Sequence, residues 1–153
     1  MRRIESTLVA ILAAATFVSQ SVSLAQTKPE KYQPLSNQEM TKLGIWDQWV
    51  KTFGELTAKQ KAAVVRRHME MCLDSFELTP EQRSFVRESA AKFASEEVYG
   101  TTDPEKRAEI QRELQPIQAK ALALLGRDLA TKIFADKPPL SVLEAVKNDP
   151  TFK

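Results

Sequence analysis

The stretch Thr57-Ala58-Lys59-Gln60, followed by apolar Val65, Met69, Cys72 and Phe76, decides the fold. A Thr at a helix N-cap accepts from the amide three residues on. A Gln at that third position reaches back to the cap's own amide, so two donors that a helix start leaves orphaned are satisfied together. The apolar residues then recur at i, i+4, i+7 and i+11, one face of an α-helix. The same signature stands at Ser36-Asn37-Gln38-Glu39, Thr79-Pro80-Glu81-Gln82, Thr102-Asp103-Pro104-Glu105 and Ser141-Val142-Leu143-Glu144. The first four starts lie 21, 22 and 23 residues apart, which suits helices joined by short connections.

Outward from these caps, the spacing predicts a first helix over 37–53 with Met40, Leu43, Trp46, Val50 and Phe53 on one stripe and Trp49 at its edge. A second runs over 58–75, and its register turns Cys72 toward the core. A third, over 80–99, sets Phe85, Val86, Ala90, Phe93 and Val98 among many charges and presents a broad face to water. The fourth pattern, over 103–135, carries Ile110, Leu114, Ile117, Ala121 and Leu124, then Leu125, Leu129 and Ile133. Pro116 should kink or break it, and Gly126 weakens the stretch before Arg127 and Asp128, giving one bent helix or two. Gly54 and Gly100 stand where the first and third helices should stop. Pro138-Pro139 forces an extended link before a short helix over 141–147. No segment alternates apolar and polar residues as a half-buried strand does. The expected fold is all-α, a small bundle of four to five helices.

Arg2 and Arg3, the apolar run Leu8 to Val18 and the small residues of Ser23-Leu24-Ala25 have the anatomy of a secretory signal peptide. The run is shorter than the roughly 20 residues that cross a bilayer, so no stable membrane anchor is expected. Residues 1–25 are therefore read as the signal peptide, 26–35 as a flexible N-terminal arm and 36–153 as a single helical domain of an exported protein, periplasmic or secreted. Of 22 basic and 20 acidic side chains, Arg2, Arg3 and Glu5 belong to the signal, which leaves a net charge of +1. That balance gives no electrostatic reason to expect nucleic acid as a partner. Cys72 is the only cysteine, so an intrachain disulfide and a multi-thiolate zinc site are both excluded. It is buried, reactive, or paired in a homodimer.

Two clusters carry candidate function. His68, Met71 and Cys72 stand at i, i+3 and i+4 and include the only His and Cys of the chain. Imidazole, thioether and thiolate suit a copper(I) ion. The packing alternative is that Met69 and Cys72 belong to the core stripe and His68 is hydrogen-bonded at its border. Trp46, Trp49 and Phe53 either build most of the core or offer part of their surface to a partner chain, since aromatic residues are enriched at interfaces. The sequence holds no Gly-rich phosphate loop, no His-Glu-x-x-His and no Cys-x-x-Cys-His. A non-enzymatic protein with no cofactor is expected.

Leu56-Thr57-Ala58-Lys59-Gln60 and Leu78-Thr79-Pro80-Glu81-Gln82 both spell Leu-Thr-x-x-Gln. In this the chain resembles the Spy/CpxP family of periplasmic proteins, which carries the motif twice. The resemblance covers about ten residues of the 153. It implies an all-helical dimeric cradle acting as an ATP-independent chaperone or an envelope-stress or metal-response protein. It also implies that Leu56, Thr57, Gln60, Leu78, Thr79 and Gln82 shape a shared end of the bundle. The expected function is binding of a protein partner or an unfolded client. Soft-metal binding or sensing through His68, Met71 and Cys72, and a purely structural domain, stand as alternatives.

Overall fold

Three of the five capping boxes form as the sequence requires. Ser36, Thr57 and Thr79 each accept from the third helical amide at 3.1 Å, and Glu39, Gln60 and Gln82 accept in return from the cap amides at 3.0, 2.9 and 2.9 Å. They open helices α1 (Asn37–Lys42), α3 (Ala58–Ser75) and α4 (Pro80–Phe93) in the computed structural model, which describes residues 32–153. Between and beyond these lie α2 (Trp46–Glu55), α5 (Glu96–Gly100), α6 (Pro104–Phe134), α7 (Leu140–Asn148) and a 3-10 turn at Pro150–Phe152. The fold is all-α, with no strand among the described residues beyond one isolated bridge between Leu35 and Lys137. The signal segment 1–25 and residues 26–31 lie outside the described residues.

The other two boxes do not form as expected. Pro104 takes the first helical position of α6, where its missing N–H costs nothing, so the cap is Asp103 rather than Thr102; its carboxylate accepts from Glu105 N at 3.3 Å. Helix α7 starts at Leu140 from an extended Pro139 with no side-chain cap, which leaves Ser141 inside the helix.

Gly44 breaks a helix where no break was expected, and Gly126 does so where only a weakening was expected. The helix expected over 37–53 splits at Gly44, whose φ is +73°, into α1 and α2. The split rotates the stripe: Met40, Trp49 and Thr52 are buried, while Leu43 and Val50 are 63% and 48% exposed. Trp49, expected at the edge, is the ring driven inward. Gly54 and Gly100 lie within the last turns of α2 and α5 and do not supply the left-handed stop. The helix expected over 80–99 ends at Phe93 and resumes as α5. Pro116 stays within helical backbone, and α6 breaks ten residues later at Gly126 (φ +82°, ψ 165°), a conformation essentially reserved for glycine. Exposed Pro116 leaves the carbonyl that lost its donor open to water, so the helix tolerates it.

Helix α3 is buried on nearly all sides and feeds two cores. Met69, Cys72 and Leu73 join Phe85 and Val86 of α4 and Ala121, Leu125, Ala130 and Ile133 of α6. Ala63 and Val64 join Met40, Trp49, Leu56, Leu143 and Val146 in the second. Helix α4 runs back along α3, as Arg83 donating to Leu73 O at 2.7 Å and Arg66 donating to Ala94 O at 3.1 Å require. The two Leu-Thr-x-x-Gln segments therefore sit at opposite ends of α3, roughly 27 Å apart for 18 residues at 1.5 Å each. They do not shape a shared end.

The final residues of the expected flexible arm are tied down instead. Tyr32 is 8% exposed and its N–H donates to Ser75 Oγ at 3.1 Å; Leu35 and Lys137 exchange two backbone hydrogen bonds at 2.8 Å. Tyr32 joins the first core and Leu35 packs against the second, anchorage that the local proline-rich composition conceals.

Candidate functional site

His68 is 4% exposed and both of its ring nitrogens are engaged. Nε2 lies 3.0 Å from the carbonyl oxygen of Ile133, and Nδ1 lies 2.8 Å from the Tyr32 hydroxyl. A carbonyl only accepts, so Nε2 carries the proton and donates. Nδ1 then holds the lone pair that accepts from Tyr32. Burial pushes the His68 pKa below its ordinary value, with the Lys137 charge adding to the effect against the opposing carbonyl contacts. Burial likewise raises the Tyr32 hydroxyl. The pair is neutral at pH 7, and it pins the N-terminal stretch across α3 onto α6.

Cys72 is fully buried with its Sγ 3.8 Å from His68 Nε2. Burial, reinforced by Asp136, pushes its thiol up to about 12. A thiolate–imidazolium dyad needs the opposite: a lowered thiol and a raised imidazole. The Cys/His proximity therefore gives no nucleophile, and a reactive Cys72 is corrected to a core thiol. Met71 is half-buried against the first core. The residues expected to hold copper do not fit that ion as arranged, because His68 has no uncommitted lone pair and Cys72 keeps its proton. Among the described residues no group of three or more His, Cys, Asp or Glu side chains is placed to hold a metal.

The aromatic residues of α2 form a ladder. Trp46 stacks on Trp49 with ring centroids 6.1 Å apart and planes 9° apart, and Trp49 on Phe53 at 5.0 Å and 11°. Tyr99 of α5 meets Phe53 edge-on at 6.2 Å and 79°. The ammonium groups of Lys137 and Lys61 lie 6.0 and 5.5 Å from the Trp46 and Phe53 ring centres. Trp49 is anchored by its indole N–H donating to Pro138 O at 2.8 Å. The expected partner-binding set thus divides: Trp49 is core, whereas Trp46 and Phe53 remain half-buried.

Trp49 and Phe53 of this ladder form one wall of a cavity of about 240 Å³, which opens among α2 to α6 and the link 135–138. Trp49, Phe53, His68, Phe93, Tyr99 and Phe134 supply its aromatic lining. The structure therefore brings Trp49, Phe53 and His68 to one space and keeps Met71 and Cys72 out of it. Leu56, Thr57 and Gln60 serve the second core and the start of α3, whereas Leu78, Thr79 and Gln82 serve the start of α4. There Gln82 also donates to Leu124 O at 3.0 Å, tying α4 to α6.

Tyr32, Tyr99 and Phe134 were not singled out from sequence, and Phe93 was read there only as part of an apolar stripe. Tyr99 does carry a signal: an aromatic beside Gly100, in the last turn of a helix otherwise rich in charge. Burial pushes its hydroxyl up to about 12. No helix of the described residues is long and apolar enough to cross a membrane. No protein-family model, curated protein or solved structure matches the chain.

Proposed function

We propose that the protein is an exported, non-enzymatic helical binding protein. The observation that supports this most is how its chemically capable side chains are used. The only His and the only Cys are neutral, buried and committed to internal contacts, while the aromatic rings of α2 stand partly open beside a cavity. Groups that catalysis or soft-metal binding would need free are built into the fold.

The concrete form we propose is ATP-independent holding of an unfolded client, as in the family that the Leu-Thr-x-x-Gln segments resemble. Leu43 and Val50 support it, being large aliphatic side chains left 63% and 48% exposed. Purified residues 26–153 should suppress aggregation of a heat-unfolded client without nucleotide. The Leu43→Ser/Val50→Ser variant should keep the fold, because both positions face water, and lose most of that protection. Absence of protection by the wild-type chain rejects the client form, and undiminished protection by the variant rejects this face.

A further inference from the structure

The cavity beside Trp49 is large for a packing gap. An apolar cavity of roughly 150 Å³ already admits a benzene-sized molecule, and this one measures about 240 Å³. Its walls are mainly apolar and aromatic, and their ring planes are ordered: Trp49 and Phe53 nearly parallel, Tyr99 nearly perpendicular to Phe53. Trp46 and Phe53 already stack on the two faces of Trp49, so a flat ring entering here packs against ring edges, in the edge-to-face geometry that aromatic pairs favour.

The polar groups of the wall narrow the ligand further. The Trp49 N–H is spent on Pro138 O, and both His68 nitrogens are spent on Tyr32 and Ile133. The Tyr99 hydroxyl, in contrast, makes no hydrogen bond with any described residue although its ring is half-buried. A hydroxyl with no protein partner keeps its proton available to donate to a bound molecule. Among the lining residues the charged side chains are Asp136 and Lys137, adjacent and opposite in sign, so neither a cation nor an anion is selected.

We propose that this cavity binds a small, neutral, planar aromatic molecule bearing one hydrogen-bond acceptor, which takes the Tyr99 hydroxyl as its donor. The inference deepens the binding reading and rests on it, but not on its client form. Quinoline is a suitable probe, with naphthalene as the isosteric control that lacks the acceptor. Both have about ten non-hydrogen atoms, for which a dissociation constant on the order of 10–100 µM is expected. Calorimetric titration of residues 26–153 should show saturable quinoline binding, with NMR shifts at the Trp49 indole N–H. Naphthalene should bind about three- to tenfold more weakly, and Tyr99→Phe should bring quinoline down to the naphthalene level. Val65→Phe, which fills the cavity from α3, should abolish both. Should that variant fail to fold, Tyr99→Phe and the location of the NMR shifts carry the test.

No saturable quinoline binding to the wild-type chain overturns the proposal. So does binding that ignores Tyr99→Phe, or shifts confined to residues away from the cavity. Failure here leaves client protection through Leu43 and Val50 standing, because neither residue lines the cavity. Failure of client protection likewise leaves quinoline binding free to occur.

Discussion

Tyr32→Phe removes one oxygen atom and keeps the ring, which isolates the hydrogen bond that pins the N-terminal stretch to the core. The wild-type bond is 2.8 Å long and its acceptor, His68 Nδ1, belongs to a side chain 4% exposed. Without Tyr32 that lone pair stays buried with no donor, a loss of about 1–3 kcal/mol. For a folded unit of this size, roughly 3–4 °C of Tm accompanies each kcal/mol, so a fall of about 3–12 °C is expected in thermal melts at pH 7.5. In a His68→Leu background the acceptor is already gone, and the same Tyr32→Phe change should cost nothing or stabilise, since it then removes an unpaired hydroxyl. A Tm unchanged within a degree in the wild-type background, or an equal loss in both backgrounds, refutes the pin.

Acid should destabilise the protein through the same histidine. The folded His68 pKa lies below 6.5, so the unfolded chain takes up the proton first as pH falls. The stability is whole above pH 6.5 and is lost as pH drops from there toward the folded pKa, by up to about 1.4 kcal/mol per pH unit. Urea melts across pH 7.5 to 5 should show a shallower loss for His68→Gln than for the wild type. Gly126→Ala should lose about 1–3 kcal/mol in urea melts because φ +82° with ψ 165° is costly for an L residue, whereas Pro116→Ala should be neutral or stabilising. Thr79→Ala should lose about 1 kcal/mol with its capping box, and Ser141→Ala should lose almost nothing because no cap forms there.

What was legible in the sequence is what short-range physics decides. Each formed capping box lies within four residues, and the apolar period of α3 lies within one helix, so helix content and most starts followed. The break at Gly44 did not, and at Gly126 only a weakening was legible, because the apolar spacing continues across both glycines. A positive φ there is selected by how the flanking helices pack, not by adjacent residues. That one break at Gly44 turned Leu43 and Val50 outward and Trp49 inward. The nearness of His68 to Cys72 was readable from i, i+4 spacing, but the groups that decide their chemistry, Tyr32 and Ile133, come from 36 and 65 residues away. The cavity draws its walls from Trp49 to Pro138, a span no local pattern encodes.

The chain's one imidazole is spent on the fold and is therefore withheld from chemistry. A long-range proton–nitrogen NMR spectrum of the His68 ring tests it without ambiguity of assignment, because the protein has a single histidine. At pH 7, before and after adding zinc or copper(I), the ring should be neutral with its proton on Nε2 and its nitrogen shifts unmoved by metal. An imidazolium, a proton on Nδ1, or a metal-induced shift of either nitrogen contradicts the claim and returns His68 and Cys72 to the list of functional groups.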